Sequence, residues 1–453
     1  MLINFVPNLQ SNQVKSAAAP IDLEKVIVIV LGGGEGKRLD PLTRSRCKPA
    51  VKFGGHYALI DVPISHALTS GLRHIFVIGQ YMAYTLQKHL TQTYASYMGA
   101  HQSLQLLVPE EREHEKVWYQ GTADAVRKNL EHFRQMPGEY FLILSGDQLY
   151  NIDFQQMIQF GVNTQADMVI AAQPVTEKNA KRMGLMQIDG QSFAVQQFIE
   201  KPQDPKVLNQ FYVPTQAFNS MGLCQKPAHN YLGSMGIYLF KRQALFSLLE
   251  EDNREDFGKH LIETQMRKGG VFAYLYDGYW EDIGTIESYY YANIALTHHG
   301  LDPQGGLDCY DESRLIVTPS QNLPPAKIGE CRLHDAIICQ GAVVEAREVI
   351  NSIIGERAVI DEGVVIKDSI ILGNEFYKRP AWDAESEACE PKIGKNSLIY
   401  KSIIDENVTI GHSVKLVNQN QYKDYDSPDG KLYVRDGIIV VPKGTKIPDH
   451  YTF

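Results

Sequence analysis

The sequence predicts an α/β unit built on a mostly parallel sheet, followed by a parallel β-helix. Three observations carry that expectation. Short β-branched apolar runs alternate with helix-length segments from about residue 25 to 297. Aliphatic residues recur at six-residue intervals from about residue 326. A run of glycines directly follows the first apolar run.

The runs KVIVIVL (25–31), HIFVIGQ (74–80), YFLILSG (140–146) and ADMVIAAQ (166–173) read as buried strands. Each is short, rich in β-branched residues and closed by a polar or glycine-rich turn. Between the first three lie segments long enough for crossover helices, around IDVPISHALTSG and TADAVRKNLEHF. Strand, crossover, strand gives parallel pairing. Such sheets bind ligands beyond the carboxyl ends of their strands, so the residues following each run are the ones to read for chemistry.

In the second half, Ile354, Ile360, Ile366 and Leu372 recur every six residues, and Leu398, Ile404, Ile410 and Leu416 repeat the interval. Each hexad makes one face of a coil, with an aliphatic side chain inward and small or polar residues at the corners. The segment YKRPAWDAESEACEPK (377–392) reads as an excursion loop from that coil. Residues 298–325, rich in Pro, Gly and Asp, read as a linker. The expected division is a loose tail at 1–24, a catalytic unit at 25–297, the linker at 298–325 and the β-helix at 326–453.

A chain of 453 residues with 44% hydrophobic content has ample material for a core. Lys and Arg number 44 against 53 Asp and Glu, a net charge of −9. That balance speaks against nucleic acid as a partner, where a basic footprint is expected. It leaves room for a phosphorylated small molecule, which needs only a few placed cations. No stretch approaches the roughly 18 apolar residues of a membrane span, and the first twenty residues lack the pattern of a secretory signal. Six cysteines (Cys47, Cys224, Cys309, Cys331, Cys339 and Cys389) include no CxxC pair and fit reduced thiols. The expected location is the cytoplasm.

The first strand ends at Leu31 and runs into GGGEGKRLDPLTRSRCKPAV. Gly32, Gly33, Gly34 and Gly36 let a polyphosphate approach the backbone and point N–H groups at it. The string lacks the third glycine of the dinucleotide fingerprint. It is not a P-loop either, because Leu31 stands five before Gly36 and Arg38 follows Lys37. Arg38 and Lys48 add cations suited to the charge that builds on a leaving pyrophosphate. Asp147 closes the run LILSGD at the same sheet edge. Taken singly, the glycines also fit an ordinary tight turn and Asp147 a helix cap.

GGGEGKRLDPLTRSRCKPAV resembles the signature of the nucleotide-sugar pyrophosphorylases. WYQGTADAV, LSGDQLY, FIEKP, SMGIYLF and YDGYWEDIGTIESYYYAN follow in that family's order. Together the six motifs closely resemble the ADP-glucose pyrophosphorylase family over about residues 25–445. The resemblance implies a Rossmann-like nucleotidyltransferase domain followed by a left-handed parallel β-helix. It implies ATP and glucose 1-phosphate as substrates, ADP-glucose and pyrophosphate as products, a role in glycogen or starch synthesis, and an allosteric homotetramer.

The implied roles fall on matching positions of this chain. Arg38, Lys48 and Asp147 are the implied catalytic residues, and Asp147 with Asp282 the implied Mg²⁺ ligands. Leu31, Gly32, Gly33, Gly36, Gln80, Gln120 and Gly121 would hold the nucleotide, with Gln80 reading adenine and Gly121 leaving room for the base. Tyr119, Gly184, Glu200, Lys201, Ser234, Tyr238, Asp256, Phe257 and Trp280 would form the glucose 1-phosphate pocket. There Glu200 would accept sugar hydroxyls and Lys201 would hold the phosphate, although an adjacent Glu–Lys pair alone reads as solvated surface. Gln148 stands where the family often has His, and Met183 where it commonly has Phe.

Lys401, Arg435 and Lys443 are the implied contacts for a small-molecule effector. Both effector patterns of the family are incomplete, with Tyr400 at a plant-type lysine and Ser45 at an enteric one. The reaction needs no general base, because the sugar phosphate oxygen is already anionic and attacks the α-phosphorus in line. Competing expectations are a pyrophosphorylase using UTP, dTTP or GTP, a silent regulatory subunit, and a hexad-repeat acyltransferase. The presence of Arg38, Lys48 and Asp147 speaks against the second. The candidate histidines His334 and His412, without a carrier signature, speak against the third.

Overall fold

The computed structural model of the protein describes residues 21–97, 103–110, 118–223, 228–298, 306–319, 322–378 and 390–453. The expected N-terminal tail up to residue 20, Cys224, Cys389 and most of the excursion at 377–392 lie outside these.

Four strands run parallel: β1 (Val26–Leu31), β2 (His74–Ile78), β3 (Ser103–Leu107) and β4 (Tyr140–Ser145), in the order β4-β1-β2-β3. Helix Asp61–Thr69 makes the crossover from β1 to β2, and helices Thr122–Lys128 and Leu130–Arg134 lie between β3 and β4. Along β1, Val26, Val28 and Val30 face one core while Ile27 and Ile29 face another. Burial on both faces is why this run is apolar throughout rather than alternating.

Beyond β4 the sheet becomes mixed. β5 (Met168–Thr176), β6 (Gly184–Ile188), β7 (Val195–Glu200), the long β8 (His229–Lys241) and β9 (Val271–Leu275) complete nine strands. β8 runs antiparallel to β4, β5 and β6. The fold is thus a mixed sheet with a parallel centre.

The second unit is a stack of short parallel strands, among them Arg332–Ile338, Glu348–Ile354, Val365–Lys367 and Ile370–Ile371. Ile354 pairs with Ile371 and Val349 with Ile366, and the side-chain bond from Asn351 to Asp368 spans 17 positions. One coil therefore takes 17 residues here, and the coil before it takes 16, both short of three hexads. That difference corrects two expected positions. Ile371 points into the coil and Leu372 outward, and Ile399 is buried where Leu398 is only partly so. A strict six-residue count drifts by one or two residues at each third corner.

Leu372 is still fully buried, because the outer face of the coil packs on the catalytic unit. Ile353, Ile370, Leu372, Ile403 and Val440 belong to the same core as Val28, Tyr289 and Ile294. Residues 306–319 lie along this junction, with Leu307 and Ile316 buried. The Val317 N–H donates to Ser65 Oγ at 2.8 Å, and Arg314 donates to the Asn151 carbonyl at 2.6 Å. No helix among the described residues is long and apolar enough to cross a membrane.

His66, on helix Asp61–Thr69, is buried, and its Nδ1 lies 2.9 Å from the Val62 carbonyl. Burial pushes its pKa down to about 4, outweighing that hydrogen bond. The folded state therefore holds it neutral where the unfolded chain, titrating near 6.5, takes up a proton. Stability is expected to fall as pH drops from about 6.5 to 4, by roughly 3 kcal/mol at most. Melting temperature against pH should flatten over that window in His66→Asn.

Candidate functional site

The site begins where β4 ends. Gly146 donates to the Leu31 carbonyl at 2.9 Å, which ties the end of β4 to the end of β1. The next residue, Asp147, accepts from Lys48 Nζ and from Ser145 Oγ, each at 2.5 Å. A short antiparallel ribbon follows, Gln148–Tyr150 against Trp280–Asp282, with Gln148 opposite Asp282. Ile283 N–H also donates to the Asp147 carbonyl at 3.3 Å. Two carboxylates far apart in sequence thus meet at one sheet edge.

Their charges interact. Burial raises the Asp147 carboxyl, but the Lys48 ammonium and the Lys48 and Ser145 hydrogen bonds outweigh it and hold the group below the usual range. The Asp282 carboxyl is raised by its protein surroundings and then by the Asp147 charge, although water reaches it across the cleft. Lys48, Arg38 and Arg182 oppose that rise. Among the described residues no group of three or more His, Cys, Asp or Glu is arranged as a metal cage. Two hard oxygen donors without a cage suit a divalent cation that takes its remaining ligands from phosphate and water.

The glycine loop lies beside this pair. Gly32 donates to the Ile78 carbonyl at 2.8 Å. Gly36 has a left-handed φ of +68°, and a Cβ there would meet Lys48 Cβ and Thr43 Cγ2 at 3.0 Å. A side chain at Gly36 would therefore displace Lys48, whereas Gly34 opens on free space. The Arg38 guanidinium reaches Gly284, beside Asp282.

On the far side, Glu200 ends β7 and its carboxylate lies over Gly184 and Gly258, where a Cβ would meet Oε2 at 2.8 and 3.0 Å. Lys201 has a left-handed φ of +49° and an Nζ 2.9 Å from Glu200 Oε1. Its N–H donates to the Met183 carbonyl at 3.0 Å. Between the two sides β8 slips register from Ser234 to Tyr238, with Gly236 at φ +70°. Through that slip the Met235 carbonyl accepts from Gln148 Nε2 at 2.8 Å. The Tyr238 hydroxyl is held neutral by burial and then by the Glu200 charge. Trp280 has a buried indole N–H with no partner among the described residues.

The family model for nucleotidyl transferases matches residues 27–299, and that for the GLGC left-handed parallel beta-helix domain matches residues 321–452. The chain belongs to the nucleotidyl transferase family. The two matches in this order are the architecture of ADP-glucose pyrophosphorylase family members.

Several expected contacts of this nucleotidyl transferase do other work in the structure. The Tyr119 ring is only 7% exposed and joins the core of Phe76 and Phe133, and its hydroxyl accepts from Asn129 Nδ2 at 3.0 Å. Phe257, 1% exposed, packs on Phe240 and Tyr238 rather than on the cleft. Asp256 caps its own helical turn by accepting from Lys259 N–H at 3.0 Å. The Gln80 amide accepts from Tyr119 N–H at 2.9 Å and donates to the Tyr119 carbonyl at 3.4 Å, which clamps that segment to the glycine loop. The exposed Gln120 donates to the Trp118 carbonyl at 2.8 Å.

Gly121 has a structural reason of its own. A Cβ there would lie 2.3 Å from the Glu255 carbonyl oxygen, which accepts from Ala123 and Asp124 N–H at 2.8 and 3.2 Å. The glycine thus leaves room for a carbonyl that caps the helix start, a requirement independent of any base. Gly121→Ala is expected to cost about 1–3 kcal/mol through that clash, read as a lower melting temperature.

The structure adds two residues to the cleft. Ser145 fixes one oxygen of Asp147, and its place in LILSGD was visible but not used. Arg182, on the exposed turn before Gly184, acts on both Asp282 and Glu281. Glu281 alternates to the other face of the ribbon, where burial and then Asp282 raise it to about 7.

The effector candidates divide two and one, with Lys401 Nζ beside Gly437, two residues from Arg435. Lys443 lines a cavity of about 630 Å³ between the two units. Lys401 sits at a left-handed coil corner, φ +46°, in line with Asn351 and Asp368. Arg435 donates to Asp426 Oδ1 at 2.5 Å and lies over the Tyr433 ring at 5.4 Å. Neither lines the cavity.

Proposed function

We propose that the chain is a glucose-1-phosphate adenylyltransferase, joining ATP and α-D-glucose 1-phosphate to give ADP-glucose and pyrophosphate. The observation that supports this most is the meeting of Lys48, Asp147, Asp282 and Arg38 at one sheet edge, next to β8, whose Tyr238 feels the Glu200 charge. The glycine loop cradles the triphosphate with its N–H groups, and Arg38 and Lys48 take up the charge that grows on the leaving pyrophosphate. Glu200 accepts hydroxyls of the sugar and Lys201 holds its phosphate, which sets the attacking oxygen in line with the α-phosphorus. Ser234 and the neutral Tyr238 hydroxyl offer donors to the sugar, as does the Trp280 indole N–H. Mg²⁺ held by Asp147 and Asp282 supplies Lewis-acid screening of the phosphate charges. ADP-glucose of this origin serves glycogen or starch synthesis.

Regulation by a small-molecule effector belongs to the same reading, as does a homotetramer in the cytoplasm. The deciding experiment is a panel of ATP, UTP, dTTP and GTP with glucose 1-phosphate and Mg²⁺, read as pyrophosphate release. ATP is expected to give the highest kcat/KM. Turnover confined to UTP, dTTP or GTP assigns the chain to another nucleotide-sugar pyrophosphorylase, and sedimentation or light scattering checks the tetramer.

A further inference from the structure

The cavity between the two units contains a cation cluster whose anion is already supplied by the chain. Glu406, on the β-helix and 5% exposed, is the centre of it. Its Oε2 accepts from Arg46 Nη1 at 2.9 Å and from Lys443 Nζ at 3.1 Å. Its Oε1 lies 3.3 Å from Lys52 Nζ. The neighbouring Asp405 accepts from Arg46 Nη2 at 2.5 Å, and Glu375 and Glu356 complete the pairing of Lys443 and Lys52 at 2.9 and 3.4 Å. Burial works against the Glu406 charge, and Arg46, Lys52 and Lys443 overcome it, so its carboxyl is held well below the usual range. A carboxylate with three cationic partners is a filled anion site.

Two of those cations belong to one short stretch of the catalytic unit, and Lys48 lies between them. Arg46 is two residues before Lys48, a span of at most about 7 Å. Lys52 closes the same stretch, and its carbonyl accepts from the Tyr289 hydroxyl. Lys48 opens a tight turn, Lys48–Ala50, and its stem packs against Gly36. The ends of the stretch are therefore pinned to the β-helix while its middle supplies the ammonium to Asp147.

We propose that Glu406 is a positioning residue, a built-in anion that clamps Arg46 and Lys52 and so sets Lys48 against Asp147. An anion from solution acts on turnover here only by taking the place of this carboxylate. The proposal rests on the nucleotidyl-transfer reading of the Lys48 and Asp147 site. It follows that the parent enzyme has little need of an added anion at this cavity, whereas a chain without the carboxylate needs one.

Glu406→Ala opens that place to a small carboxylate entering through the cavity. With ATP and glucose 1-phosphate its kcat is expected to fall on the order of ten-fold, with both KM values within about two-fold of the parent's. Millimolar acetate should restore the rate saturably, chloride at equal ionic strength should not, and the parent should respond to neither. An unchanged kcat, or a loss that acetate leaves untouched in a protein melting like the parent, overturns the proposal. If Glu406→Ala does not fold, Glu406→Gln keeps the shape and removes the charge, and a kcat within about two-fold of the parent's overturns it equally. If the parent itself turns over no nucleotide with any sugar phosphate, the catalytic reading fails instead. The filled anion site is then tested by melting alone: acetate should raise the melting temperature of Glu406→Ala and not of the parent, and equal shifts in both overturn it.

Discussion

Asp147→Asn is expected to lower kcat by about three orders of magnitude or more while the protein melts close to the parent. The carboxylate accepts from Lys48 and Ser145 and stands one ribbon position from Asp282. Asparagine keeps the shape and one acceptor but removes the charge that pairs with Lys48 and that the proposed Mg²⁺ would need. Breaking a buried ion pair normally costs stability, because the surviving charge is stranded. Here Asp282 already feels the Lys48 charge and is relieved of its repulsion from Asp147, so the stability loss should be small. Pyrophosphate release and a thermal melt check both halves. Residual turnover above about one tenth of the parent's would move the metal-binding role to Asp282 alone.

Lys201→Ala is expected to raise the KM for glucose 1-phosphate on the order of 10- to 100-fold, with the KM for ATP within about two-fold. Among the described residues the ammonium is paired with its neighbour Glu200, and it is half exposed, so it is free to turn to a phosphate. The left-handed backbone at Lys201, tied to the Met183 carbonyl, fixes where that stem leaves the chain. Separate titrations of the two substrates read the split. A KM for glucose 1-phosphate that does not move would show that the Glu200–Lys201 pair faces solvent and nothing else.

What could be read from the residues alone follows from how local each signal is. β1 and β4 are buried on both faces, so their apolar runs stand out, and Asp147 is placed by the end of one of them. The glycine loop is likewise contiguous. Asp282 needed the resemblance, because its partnership with Asp147 depends on a two-stranded ribbon that no local pattern announces. Tyr119 and Phe257 lie in the right motifs, but motif membership does not say which way a ring points. The second demand on Gly121, room for the carbonyl of Glu255, has no local signal because that carbonyl comes from a distant loop. The hexad count found the β-helix and then lost phase, since a coil of 16 or 17 residues is not a multiple of six. The cluster around Glu406 joins residues 360 positions apart and has no signature in sequence.

The core that runs from β1 through helix Ile286–His298 into the outer face of the coil has a consequence for how the molecule comes apart. Ile353, Ile403 and Val440 lose their cover if the catalytic unit melts, and Tyr289 loses its cover if the coil does. Each half keeps an interior of its own, but along this seam each relies on the other to cover its apolar face. The chain should therefore melt as one cooperative transition in a calorimeter, and severing it at residues 306–319 should yield two sticky fragments rather than two independent domains.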